Sequence, residues 1–276
     1  MARSPSTTPR KTTAASTQQE RVAKRLARQT KQLEKEIIGD TIAKITANSG
    51  RMVKLSDLRK LQPLTQTQSD VFSAWEDAPE DNVGFVLSGF PGVGKSFIAM
   101  YLALKEVLDP ESKYKKLIIC RSCVPTREIG ALPGTLELKG EVYEEPYMQI
   151  CSELTNDKFA YEKLKNADKI EFVTTSFLRS LTFNNSIVFV DEIQSCNWHE
   201  INTICTRLGK NSKLIVAGDY KQNDLVYKKN DVSGFKEFLK VSSIMPEFRT
   251  FSFTMEDIIR SGFVRSWVIA CDSVGL

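Results

Sequence analysis

From residue 83 onward, apolar residues gather in short runs separated by polar or helical stretches. Val83–Ser88, Leu117–Cys120, Ile170–Thr174, Ile187–Val190, Leu214–Ala217 and Phe251–Phe253 read as strands. Runs that are apolar on both sides of the pleat predict strands covered on both faces, as in a mostly parallel sheet. Residues 95–108 and 197–208 carry helical spacing. Alternation of strand and helix predicts an α/β domain, doubly wound, with helices on both faces of the sheet. Residues 124–168 interrupt that alternation with a Gly/Pro-containing loop and charged helical segments.

Upstream the pattern changes. Residues 1–18 are mostly Ser, Thr, Pro, Arg and Lys, a composition that cannot bury enough apolar surface to order itself. Residues 19–38 place Val22, Leu26, Leu33 and Ile37 at near-heptad spacing with basic residues between them. That pattern reads as an amphipathic helix packing on the domain or on a partner chain, or as a nucleic-acid arm. The expected organisation is a disordered basic tail at 1–18, a basic helical segment at 19–60 and the α/β domain at 61–276. No internal repeat is present, which excludes a solenoid.

Composition changes this picture only in part. The chain has 276 residues, 41% hydrophobic and 26% charged, as expected of an ordinary globular protein. The net charge of +4 is uneven, because residues 1–35 hold many Lys and Arg and only Glu20 and Glu34 as acids. The basic signal therefore belongs to the tail. No apolar run approaches the ~18–20 residues a membrane helix needs, and the N-terminus lacks the apolar segment of a secretory signal. A cytoplasmic location, without membrane partners, is expected. The six Cys then read as free thiols in a reducing compartment. Cys120-x-x-Cys123 and Cys196-x-x-His199 offer ligand pairs for zinc, but each adjoins a nucleotide motif that explains the local sequence.

The strongest chemistry lies at residues 89–96, Gly-Phe-Pro-Gly-Val-Gly-Lys-Ser, which fit the phosphate-loop pattern between a strand and a helix. Gly89, Gly92 and Gly94 let the backbone curl so that N–H groups point at phosphate oxygens, with Phe90, Pro91 and Val93 completing the loop. Lys95 supplies charge to the β and γ phosphates, and Ser96 can ligate Mg²⁺. The run Ile187–Val190 leads into Asp191-Glu192, placing acids at the carboxyl edge of the sheet, where ligands of open α/β sheets bind. Asp191 would hold Mg²⁺, and Glu192 would orient and deprotonate the attacking water. The next strand leads into Gly218-Asp219-Tyr220-Lys221-Gln222, where Gln222 can contact the γ-phosphate or that water. Gln68, upstream of the loop, can donate to and accept from an adenine edge.

In this order, these motifs resemble those of superfamily 1 helicases and, more closely, the PhoH-like ATPases of the short, phage-borne kind. The more specific pieces are Leu132-Pro133-Gly134 with Lys139, Pro146-Tyr147, Thr206-Arg207-Leu208-Gly209, Gly218 to Leu225, Ser233-Gly234, and Asp257-Ile258-Ile259-Arg260-Ser261. The resemblance covers roughly residues 60–270. It implies a RecA-like P-loop domain that hydrolyses ATP with Mg²⁺, a link to RNA or other nucleic acid and to phosphate starvation, and a ring-shaped homo-oligomer, for which a hexamer is expected. Phe90-Pro91 and Ser96 in the loop, Ile193 after the acidic pair and the lack of His after Arg260 depart from the family pattern without removing a catalytic group.

With one phosphate loop, a site of the helicase kind would need a neighbouring subunit. Arg260 and Arg207 are the expected sources of an arginine reaching the next subunit's γ-phosphate, with Arg265 behind them. The loop at 121–140, with Arg121, Arg127 and Lys139, reads as a nucleic-acid contact or as an inter-subunit packing loop. An ATP-driven remodeller of protein partners and a nucleotide-dependent switch are the competing functions.

Overall fold

A computed structural model describes residues 50–78, 83–122, 136–175, 178, 182–219 and 232–274. The strands are β1 (Val83–Gly89), β2 (Lys116–Arg121), β3 (Ile170–Thr174), β4 (Ser186–Asp191), β5 (Ser212–Gly218) and β6 (Phe248–Phe253). The helices are α1 (Gln66–Glu76), α2 (Lys95–Val107), α3 (Leu136–Thr155), α4 (Ala160–Asn166), α5 (Trp198–Thr206), α6 (Phe235–Ser242) and α7 (Gly262–Ser273). The sheet runs in the order β3-β2-β4-β5-β1-β6, and every pairing among these strands is parallel. This is the doubly wound α/β architecture expected from the run pattern, with β1, β4 and β5 buried along their whole length.

Alternation along each strand feeds two cores. Leu117 and Ile119 of β2 join Phe85, Leu87, Ile187, Phe189 and Ile215 in a layer covered by α1, α2, α3 and α4. Ile118 and Cys120 join Val86, Val188, Val190, Leu214 and Val216 in the opposite layer, covered by α5 and α6. Both faces of the sheet are thus dry, which explains why the central strands read as unbroken apolar runs. Val53 is also buried in the first layer, and Arg59 N donates to Leu154 O at 2.8 Å.

Two elements exceed their sequence signals. β6 spans Phe248–Phe253 rather than 251–253, because an edge strand keeps a half-exposed outer side and tolerates Arg249 and Thr250. α1 begins in the polar stretch Gln66–Ser69 and buries only Gln68, Val71 and Trp75, so its apolar stripe is narrow. Its start is fixed by Thr65, whose side chain accepts from Gln68 N. The tail and the 19–38 helix lie outside the described residues. Among those described, no helix is long and apolar enough to cross a membrane.

Parallel pairing brings the carboxyl ends of the strands to one edge. Arg121 stands opposite both Thr174 and Asp191, Ser88 opposite Gly218, and Gly89 opposite Phe253. Gly89, Asp191 and Gly218 therefore gather at that edge.

Candidate nucleotide site

The phosphate loop leaves β1 at Gly89, whose φ is 135° and where a Cβ would stand 2.1 Å from Phe253 O. It enters α2 through Gly94, a left-handed N-cap with φ 85°. Pro91, Gly92, Gly94, Lys95 and Ser96 form one wall of a cleft of about 240 Å³. Asp191, Glu192, Gly218 and Asp219 form the facing wall, and Arg260 lines it as well.

Lys95 Nζ donates to Gly89 O at 2.8 Å and Phe90 O at 2.7 Å. Burial pulls its pKa below the usual lysine value, while Asp219, Glu192 and Asp191 act in the opposite direction. The loop therefore carries a partly desolvated cation where phosphate charge would be received. Ser96 Oγ donates to Asp191 Oδ1 at 2.9 Å, across 95 residues of sequence. Tyr147 OH donates to Asp191 Oδ2 at 3.0 Å. Burial holds the Asp191 carboxyl above its ordinary range, against the pull of Ser96, Arg121 and Tyr147. Burial, followed by the charge of Asp191, pushes the Tyr147 phenol well up, so it remains a proton donor to this carboxylate.

Glu192 sits in the left-handed region at φ 51°, ψ 45°, an unusual conformation for a side-chain-bearing residue and one that turns the chain sharply at the strand end. Gln194 Nε2 donates to Glu192 Oε2, and Gln194 Oε1 accepts from Asp219 N at 3.0 Å. One amide thereby joins the candidate base to the end of β5. Burial and then the neighbouring Asp191 raise the pKa of Glu192, which suits a proton acceptor working near neutral pH. Replacing Gln194 with Ala should lower nucleotide turnover several-fold at unchanged nucleotide affinity. It leaves Glu192 unheld and the Asp219 N–H without its partner, a loss of about 1–3 kcal/mol. Turnover, nucleotide titration and a melt of the variant check this; unchanged turnover would remove Gln194 from the site.

The remaining expected residues fall in distinct places. Gln68 is 3% exposed, accepts from Leu64 N at 2.8 Å and donates to Val93 O at 3.1 Å, so it braces the loop from behind. Arg260 lies on its own loop: Ile259 N donates to Gly92 O at 3.3 Å, and a Cβ on Gly92 would stand 2.8 Å from Arg260 Cγ. The sequence expectation puts Arg260 at a neighbour's phosphate, whereas here it borders the cleft of its own chain. Arg207 ends α5 at the opposite edge of the sheet, where its carbonyl accepts from Phe183 N at 2.9 Å. The seven residues of β5 separate it from its own loop by roughly 20 Å. Its Nε is buried without a hydrogen-bond partner among the described residues. Gln222, Arg127 and Leu132–Gly134 lie outside the described residues, as does the side chain of Lys139.

Sequence reasoning misses three contributors. Tyr147 enters it only as part of a resemblance, and Gln194 is given no role. Arg121 reads there as part of a loop meeting nucleic acid or packing between subunits. In the structure it ends β2 opposite Asp191, with its guanidinium 5.8 Å from the Tyr143 ring centroid, and its charge acts on Asp191 and Tyr147. The end of a strand beside the acidic pair is the available signal.

A hydroxyl and a carboxylate, 2.9 Å apart at the foot of the loop, form a set of hard oxygen donors that fits Mg²⁺ completed by phosphates and water. Among the described residues no group of three or more His, Cys, Asp or Glu could hold a metal by itself. Cys120 and Cys196 are buried, and Cys123 lies outside the described residues.

Comparison with known proteins agrees with this geometry. The model of the family described as PhoH-like protein matches residues 60–272. A PhoH-like protein of Synechocystis sp. is 34% identical over 154 residues, 55% of this chain and 46% of the relative. Protein PhoH2 of Bacillus subtilis is 32% identical over 152 residues, 54% of this chain and 34% of the relative. The chain thus spans less than half the length of either relative. Among solved structures, the large terminase of a thermophilic bacteriophage is similar at a TM-score of 0.45 and 12% identity, over 75% of this chain and 50% of that one. The matched family segment includes both walls of the cleft, and the chain belongs to the PhoH-like protein family.

Proposed function

We propose that this chain is a Mg²⁺-dependent ATPase, that its turnover is coupled to RNA or single-stranded DNA, and that it works in the cytoplasm as a homo-oligomeric ring. The observation that carries the enzymatic part is the convergence of Lys95, Ser96, Asp191 and Glu192 on one cleft. In this reading Lys95 exchanges the Gly89 and Phe90 carbonyls for phosphate oxygens. Ser96 and Asp191 hold Mg²⁺, which when bound neutralises charge on the phosphates. Glu192, steadied by Gln194, orients the attacking water and takes its proton. Gln68 spends one amide N–H on Val93, and its second suits an adenine edge.

The ring is supported by Arg207. It is too far from its own loop to serve it, yet lies at an edge that a neighbouring copy can meet. An arginine supplied in this way is worth about 10³–10⁵ in rate in related phosphoryl-transfer enzymes. Arg260 then stabilises phosphate charge within its own chain.

The test is steady-state ATP hydrolysis with and without single-stranded RNA and DNA, over a range of protein concentrations. Stimulation that rises cooperatively with protein is the expected outcome. Turnover indifferent to both would sink the nucleic-acid motor and favour an ATP-driven remodeller of proteins.

A further inference from the structure

Both oxygens of Asp191 are already assigned. Oδ1 accepts from Ser96 Oγ at 2.9 Å, on the side of the phosphate loop. Oδ2 accepts from Tyr147 OH at 3.0 Å, on the side of α3. Tyr147 is fully buried. Its ring lies 6.0 Å from Phe172 and 6.4 Å from Phe189, edge-on to the latter. Both neighbours pack in the same core layer as the ring. A buried hydroxyl costs a few kcal/mol unless it finds a partner, and a site needing only bulk would be filled as well by Phe, as at the two neighbouring positions.

We propose that Tyr147 is a positioning residue for the catalytic cation: by occupying Asp191 Oδ2 it leaves only Oδ1, beside Ser96, and so makes the site selective for Mg²⁺ over Ca²⁺. The chemistry follows from the two ions. Mg²⁺ demands near-octahedral geometry and takes a carboxylate through one oxygen, whereas Ca²⁺ accepts more ligands and readily takes both. A carboxylate with one oxygen fixed by a buried phenol suits the smaller ion. The inference rests on the proposed reading of the cleft as a Mg²⁺–nucleotide site.

The experiment measures binding of a fluorescent, non-hydrolysable ATP analogue to the full chain in EDTA, and then in titrations of Mg²⁺ and of Ca²⁺. For Tyr147→Phe, metal-free affinity should stay as in the wild type. The Mg²⁺ half-saturation should rise about ten-fold, the lower end of the range for partners of metal ligands. The Ca²⁺ half-saturation should rise much less, so selectivity narrows. Phe172→Leu, which loosens the ring packing and keeps the hydroxyl, should melt earlier with wild-type selectivity. Equal shifts for both ions in Tyr147→Phe, no shift for either, or the same narrowing in Phe172→Leu would overturn the proposal. If the wild-type protein binds the analogue with no dependence on either ion, the underlying site reading falls and takes this one with it.

Discussion

Replacing Glu192 with Gln is expected to cut steady-state ATP turnover by about 10²- to 10⁴-fold, the usual contribution of a positioned general base. Nucleotide affinity should stay within a few-fold of wild type. The substitution is nearly isosteric, and an amide oxygen still accepts from Gln194 Nε2, so the left-handed turn at φ 51° and the link to Asp219 survive. Only the ability to take a proton is removed. Lys95 and Ser96, the proposed grips on the phosphates and the ion, are untouched. Paired turnover and nucleotide-binding measurements check this. Unchanged turnover in the variant would mean that Glu192 is no base and that the protein acts as a switch.

The largest structural effect is expected at Gly89. A methyl group there would meet Phe253 O at 2.1 Å, Phe253 C at 2.9 Å and Phe253 Cβ at 3.0 Å, in a backbone conformation that L side chains rarely adopt. Backbone stands in the way, and Gly89 pairs with Phe253 across β1 and β6, so relief requires opening the sheet beneath the phosphate loop. Gly89→Ala should lose about 4 kcal/mol or more, which at ~2–4 °C per kcal/mol for a domain of this size lowers Tm by roughly 8–16 °C. Nucleotide binding should fail as well, because the loop starts at this residue. Gly262, with nothing within 4 Å of the corresponding position, is the control. In helix α7, Gly262→Ala should be neutral or stabilise by up to about 1 kcal/mol. A Tm for Gly89→Ala within about 2 °C of wild type, less than ~1 kcal/mol, would show the β1–β6 contact to be yielding.

The parts of this molecule legible from sequence are those governed by neighbours in the chain. Ile187–Val190 reads as a strand because both of its faces are buried. The phosphate loop reads as such because its glycines, Lys95 and Ser96 act over adjacent positions. α1 is illegible because its inward face consists of little more than Val71 and Trp75, with a buried Gln68 that looks like a surface residue. The outer half of the site is illegible for a different reason. Tyr147 reaches Asp191 across 44 residues, and Gln194 reaches Asp219 across 25. Nothing local in either residue type announces such a partner. Arg260 and Arg207 look equivalent as charged residues near helix ends, and only the direction of the strands separates one at the cleft from one at the far edge.

The strand that carries the phosphate loop has an unusual dependence on chain order. β1 lies between β5 and β6, so Val83 pairs with Lys213 and Gly84 with Phe248. As the polypeptide leaves the ribosome, β1 appears before either of its neighbours has been made. More than a hundred residues must follow before it gains its first sheet partner. Such long-range closure is slow and leaves an apolar strand exposed meanwhile. The nucleotide site can assemble only when translation of this domain is nearly finished, and a nascent chain stalled before residue 212 should capture chaperones rather than ATP.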